Sequence, residues 1–551
     1  MLAAYLTAGA VLFTVYLRLS ETYQLNSDSA NILLMGRDLL HGHLLLHGWY
    51  MSDVSFYPTE LPQYALLESF LGLHMQTAHV AAAMTYTLTF LLAVLLARGV
   101  GPRGTTPREP PARGDCPSPR TPLAPGTPLV RTLIAAGIML APQFGLGVFA
   151  LDLSVGHIGT SVPLLLIWLM LDRASARWYI PVLTAVLLAW TLVADPIVYV
   201  VAIGPLGAVC AARVIRGVLT SRGELISRIA GQWYDLSLGA ATVAATALAW
   251  VVNNVLGDLG GYTVNRLPFY LVSWHNLHYN LPAGWKVLTV FGANYAGLHG
   301  VWLALAFLHL ASVLLVVWAL ARVAWRFFGV SLVDQVLAVA IVLNVALYML
   351  TNASDEAAHE VAVIVPFGAV LAARVLVPAV RIPHAGDSRP PAPQTARRRS
   401  WIRPIRMAGL AAGILVLAGY TAGLGYELSQ PTAPPANTSL VPWLLDHHLT
   451  YGLSGYWTSS SVTVDSGERV QVRALMQYTM KRDLWMSNVA WYDPRTHYAN
   501  FIVLDSTPGF MNHWEPRALI RKYFGRPART YHTGPYTIMV WSRNLLASIP
   551  R

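Results

Sequence analysis

Eleven apolar stretches recur along the chain, near residues 2–19, 77–97, 132–151, 160–171, 179–194, 197–212, 236–256, 300–320, 332–351, 359–378 and 408–427. Most run for about 17–22 residues, the length a helix needs to cross the hydrocarbon of a bilayer. The pattern predicts a polytopic α-helical membrane protein of about eleven transmembrane helices. The first stretch has no charged n-region and no small-residue cleavage site, so it is expected to remain as a span.

The polar segments divide into three kinds. Residues 99–131 and 380–407 are rich in Pro and Arg and read as linkers. Residues 20–76 and 257–299 are long and aromatic, whereas 152–159, Asp195-Pro196 and 352–358 are short. The tail, 428–551, is polar and dense in Trp and Tyr, and reads as a small α/β domain distinct from the multispan module 1–427. Within it, Ser461-Val462-Thr463-Val464 and Arg469-Val470-Gln471-Val472 flank Asp465-Ser466-Gly467-Glu468 and predict a β-hairpin. Phe501–Leu504 and Thr537–Trp541 predict further strands, and Glu515–Phe524 a helix closed by Gly525.

Composition agrees with a membrane chain: 55% of residues are hydrophobic and 12% charged, against about a quarter charged in soluble proteins. The net charge of +11 raises the question of nucleic acid, and its distribution answers against it. If the N-terminus lies inside, the inside loops hold 22 arginines, while the outside loops before the tail hold only Arg18, Arg37, Arg266 and Lys286. This bias places the N-terminus in the cytoplasm and the tail outside, and suits anionic membrane lipid as a partner. The two cysteines, Cys116 and Cys210, lie in a linker and a span, so the exported parts fold without disulfides. No nucleophile elbow, P-loop, GxGxxG or paired CxxC occurs.

The first outside loop, 20–76, carries the candidate chemistry. It reads Asn26-Ser27-Asp28-Ser29-Ala30-Asn31, then Arg37-Asp38, then Trp49-Tyr50-Met51-Ser52-Asp53 and Tyr57-Pro58-Thr59-Glu60-Leu61-Pro62. Ser29–Leu40 predicts a helix at the membrane surface. Asp28 at its start fits either an N-cap or a carboxylate that takes a proton from an acceptor. Asp53 is a candidate second carboxylate. His41, His43 and His47 are spaced for interfacial hydrogen bonding rather than for a metal on one helix face.

Elsewhere, Asp152 with His157, Trp274 with His275, and Asp355 with Glu356 are candidate substrate-lining residues, as are Tyr57 and Glu60. Asp355, Glu356, His359 and Glu360 open the tenth span, where acids also suit a helix N-terminus. Arg37, Arg266 and Lys286 are the candidate cations for a phosphate. No motif fixes a cofactor, and a divalent metal at Asp152 stays open.

A span, an Asp early in the first outside loop, a helical stretch and an aromatic-Pro segment leading into the second span together resemble the GT-C glycosyltransferase superfamily. The similarity is to its polyprenyl-phosphate-sugar users, the protein mannosyltransferases and aminoarabinose transferases. Where those carry an Asp-Glu pair, this chain has Asp28-Ser29. The resemblance implies Asp28 as the catalytic carboxylate, a polyprenyl-phosphate-linked sugar as donor, and a glycan, protein or lipid as acceptor on the outer face of the plasma membrane. Two other readings stand beside it: a transporter or flippase of lipid-linked saccharides, and a non-enzymatic glycan-binding protein of envelope assembly.

Overall fold

The structure, a computed structural model, describes residues 2–99, 127–140, 156–293, 299–355, 358–377, 396–508 and 513–550. It is mostly helical, with a small sheet region. Among the described residues, six helices are long and apolar enough to cross a membrane: Met75–Arg98, Tyr199–Thr220, Trp233–Asp258, Val301–Trp325, Leu332–Leu350 and Ala358–Leu376. Tyr5–Ser20, Thr127–Leu140 and Tyr179–Ala194 are shorter apolar helices. This is the make-up of a helical membrane protein.

Burial orders these helices. Ala358–Leu376 is 78% buried and Met75–Arg98 67%, so they form the centre; Trp233–Asp258 and Val301–Trp325 are each 28% buried and turn apolar faces outward. At the end of the bundle remote from the first loop, Arg374 locks several helices together. Its guanidinium reaches Asp334 at 2.6 Å, Asp172 at 2.7 Å and the Leu96 carbonyl at 3.1 Å. Arg131 donates to the carbonyls of Val377 and Arg374 beside it.

At the other end, α1 (Leu2–Ser20) leads into α2 (Ser27–Leu40). The Asn26 side chain caps α2 by accepting from the amides of Asp28 and Ser29. Asn26 therefore takes the capping role open to Asp28, which stands instead in the first turn. There its charge faces the positive end of the helix dipole. Gly42, at φ +87°, turns the chain away after α2. Next comes β1 (Trp49–Met51), then α3 (Leu61–Leu71), with Pro62 in its first turn, and α4 (Met75–Arg98). The buried side chains of α2, Trp49, Met51, Phe56 and Tyr64 form a core of their own beneath the tail.

The tail holds a five-stranded sheet. Its strands are β3 (Tyr451–Ser454), β4 (Gln471–Ala474), β6 (Phe501–Asp505), β7 (Arg529–Thr533) and β8 (Tyr536–Val540), in the order β4-β3-β6-β8-β7. β3 runs parallel to both neighbours, while β6, β8 and β7 pair antiparallel. Gly452 is required in β3, because a Cβ there would lie 2.2 Å from the Phe501 ring.

The expected hairpin over 461–472 is corrected: Tyr456–Asp465 is a helix that connects β3 to its parallel partner β4. β-branched residues made the segment read as a strand. Here its hydroxyls bond back along the helix, Ser461 to the Trp457 carbonyl and Thr463 to that of Ser459. Its buried face packs on α2 and the sheet, and that packing overrides local propensity.

A second sheet ties tail to loop. β1 pairs in parallel with β2 (Thr263–Val264) and antiparallel with β5 (Ser487–Asn488). Segments of the first loop, the 257–299 loop and the tail are thus hydrogen-bonded to one another. Trp49 packs edge-on to Trp491, and Arg473 lies 3.8 Å over the Trp491 ring.

Candidate active site

Asp28 faces the tail. Its Oδ1 accepts from the Tyr456 hydroxyl at 2.5 Å, and its Oδ2 from Asn26 at 3.3 Å. Asn31, one turn along α2, donates to the Tyr456 oxygen at 3.2 Å. Ser27 donates to the Trp457 carbonyl at 2.8 Å and secures the same contact. Burial pushes the Asp28 carboxyl above the usual carboxylate range, against the Tyr456 hydrogen bond and the nearby His359, which both hold it down. The result is a carboxyl more basic than an ordinary Asp.

Asp53, half-buried after β1, lies within electrostatic reach of a second cluster formed by His157, Asp195 and Glu360. Burial and the two carboxylates raise the pKa of Asp53, while His157 opposes them. In that cluster the His157 ring joins Asp195 at 2.8 Å through Nδ1 and Glu360 at 3.1 Å through Nε2. Asp195 also accepts from the Thr160 hydroxyl at 2.5 Å and the Ile197 amide at 2.9 Å. Burial favours a neutral imidazole, but Asp195 and Glu360 overcome it and hold the His157 pKa well above its ordinary value. His359 pairs with the other oxygen of Glu360 at 3.4 Å. A chain of ionisable groups therefore runs from His157 through Glu360 to His359, which lies within electrostatic reach of Asp28.

Glu60 adjoins this cluster. It is buried, its Oε1 has no hydrogen-bond partner, and burial together with the charge of Asp195 pushes its pKa up to about 8. Near neutral pH it is mostly the protonated acid. Gly159 makes room for it, since a side chain there would come within 1.9 Å of Oε1. Glu60 lines a groove of about 120 Å³ with Gln63, Thr85, Leu88, Leu166 and Trp190. The last three side chains are exposed, so the groove opens onto apolar outer surface of the helices. A larger groove of about 490 Å³ lies between Glu21, His74 and His79 and the tail linker at Thr432–Ala436. Asp28 and Asp53 line neither groove.

The remaining expected residues scatter. Tyr57 donates to the Leu44 carbonyl and packs against Tyr262. Arg37 is held between Glu68 at 3.8 Å and Glu468 of the tail at 3.0 Å. Arg266 is exposed and belongs to no ion pair among the described residues; Lys286 is half-buried in the helix Ala283–Thr289. Trp274, 88% exposed, and His275 stand on the surface of the 257–299 loop. Asp355 ends the short turn Asn352–Asp355, while Asp152 and Glu356 lie outside the described residues. His47 bonds to the Gly260 carbonyl, and His41 and His43 are exposed. No group of three or more His, Cys, Asp or Glu among the described residues is spaced to hold a metal ion.

No protein-family model, curated protein or solved structure matches this chain. Its chemistry rests on the geometry itself.

Two participants were not picked out from sequence. Asp195 reads from sequence only as part of the short segment Asp195-Pro196, although an acid between two apolar runs is a signal for buried polar function. Tyr456 carries no local signal, because its partner lies 428 residues away in sequence.

Proposed function

We propose that this chain is an integral membrane glycosyltransferase of GT-C type that moves a sugar from a polyprenyl-phosphate donor to an acceptor on the outer face of the membrane. In this reading all eleven apolar runs span the bilayer, the N-terminus is cytoplasmic and the tail is extracytoplasmic, in keeping with the arginine bias of alternate loops. The observation that carries it is Asp28: a carboxyl of raised basicity, anchored by Tyr456 of the tail and within electrostatic reach of His359.

The reaction asks for a base and a phosphate site. The acceptor oxygen attacks the anomeric carbon, and the bond from that carbon to the phosphate oxygen breaks. Its electron pair leaves with polyprenyl phosphate, and the acceptor proton passes to Asp28. Asp53 positions the acceptor. Arg266, exposed and outside any ion pair, is the first cation assigned to the donor phosphate and Lys286 the second; Arg37 would have to leave Glu468. The lateral groove ending on Glu60 admits the lipid carrier.

The test uses purified protein in proteoliposomes, a panel of radiolabelled polyprenyl-phosphate monosaccharides, and oligosaccharide and peptide acceptors. Transfer of label with release of polyprenyl phosphate is expected from a lipid donor. Transfer from a nucleotide-sugar, with none from any lipid donor, would overturn the reading.

A further inference from the structure

Among the polar contacts between tail and loop, one involves the candidate base Asp28 itself. The Tyr456 hydroxyl donates to Oδ1 at 2.5 Å and in turn receives the Asn31 amide at 3.2 Å. The Tyr456 ring is backed by its neighbour. Tyr456 packs edge-on against Trp457 at 4.9 Å between centroids, and the backbone of Trp457 is held by Ser27. Gly455, just before Tyr456, has no room for a side chain, because a Cβ would lie 2.5 Å from the Trp514 ring.

Position in the tail fold adds a second argument. Tyr456 follows the carboxyl end of β3, whose two parallel neighbours, β4 and β6, lie on opposite sides of it. In parallel α/β units the carboxyl ends of strands, where connections part to either side, are where ligands are met. The tail presents that end to Asp28.

We infer that Tyr456 is a positioning residue for Asp28, so that the multispan module and the tail build one composite site. This inference rests on the proposed role of Asp28 as base. One Oδ1 lone pair is taken by Tyr456, which fixes the plane of the carboxylate and leaves Oδ2, bound only by a long contact to Asn26, to face the acceptor. The groups facing this pair are His359 and Asn26 on the Asp28 side, and Asn31 and Asp483 on the Tyr456 side. Burial and the Asp28 charge push the Tyr456 hydroxyl well above its ordinary pKa, so it stays protonated and keeps donating. A donor to the ionised carboxylate stabilises that form. Its removal should make Asp28 harder to ionise.

The experiment is Tyr456→Phe in the full chain. The first readout needs no substrate: modification of Asp28 by the apolar reagent dicyclohexylcarbodiimide, which reacts with protonated carboxyls, mapped by peptide mass spectrometry against pH. The labelling midpoint should move upward by about one pH unit. With a lipid-linked donor, the acid limb of kcat should move by the same amount with KM unchanged. Should Tyr456→Phe fail to fold, Asn31→Ala, which frees the hydroxyl to turn away, should give a smaller shift in the same direction. A tyrosine of purely structural role would lower yield or activity at every pH and leave the midpoint in place, and that result in both variants overturns the inference. Retained transfer in Asp28→Asn would instead sink the role of Asp28 as base while leaving the titration shift standing.

Discussion

The His157 cluster offers the sharpest quantitative prediction. His157 is 4% exposed and Asp195 1%, at 2.8 Å, with Glu360 on the far side of the ring at 3.1 Å. Asp195→Asn keeps the size and much of the hydrogen bonding but removes one of the two charges that hold the imidazolium. Breaking a buried pair from one side costs about 3–5 kcal/mol. Glu360 remains, so the expected loss is at the lower end, about 3 kcal/mol. Because the pKa of His157 is raised in the folded protein, the contribution is fully present below its unfolded value of about 6.5. It fades as pH rises through the folded value. The gap between wild type and Asp195→Asn should thus be largest near neutral and mildly acidic pH and narrow in alkali. Equilibrium unfolding in mixed detergent micelles across pH measures it. Adding Glu360→Gln should cost less than the sum of the single changes, since a ring that has lost both partners becomes neutral. A loss below about 1 kcal/mol, or a gap that does not change with pH, would refute the charged cluster.

Further outcomes are expected at two other positions. Glu60, with its pKa pushed up to about 8, should be labelled by dicyclohexylcarbodiimide at pH 7 and escape above pH about 9. Its raised value means that its stabilising contribution is complete below about pH 4.5 and is lost as pH rises through 8, so Glu60→Gln should match or exceed wild-type stability in mild alkali. In the tail, Gly452→Ala drives a Cβ to 2.2 Å from Phe501 and should cost about 1–3 kcal/mol, read as a lowered melting temperature with the loss of far-UV sheet signal.

Legibility in sequence followed range. Helices occupy the described parts of the apolar runs because bilayer-length hydrophobicity is a local property. α2 was legible from its apolar face, and Gly525 from its place as a helix stop, realised at φ +70°. The segment Ser461–Val464 misled because its β-branched residues favour strands in isolation, whereas contacts with α2 and β4 decide the matter. Asp28, Asp53, Glu60 and His157 were nominated one by one. Their grouping was not legible, since the links run through Asp195, His359, Glu360 and Tyr456 from loops far apart in the chain. Arg37 was chosen as a rare cation of the loop, but pattern alone could not show that Glu68 and Glu468 hold it.

The proposed transfer depends on Asp28 as base. The direct measurement is sugar transfer from a radiolabelled polyprenyl-phosphate donor by wild type and Asp28→Asn, reconstituted side by side and matched for folded protein. The amide keeps the Tyr456 and Asn26 neighbourhood but cannot take the proton, so transfer should fall by about 10²–10⁴-fold with the melting temperature preserved. Transfer by Asp28→Asn at wild-type rate would contradict it.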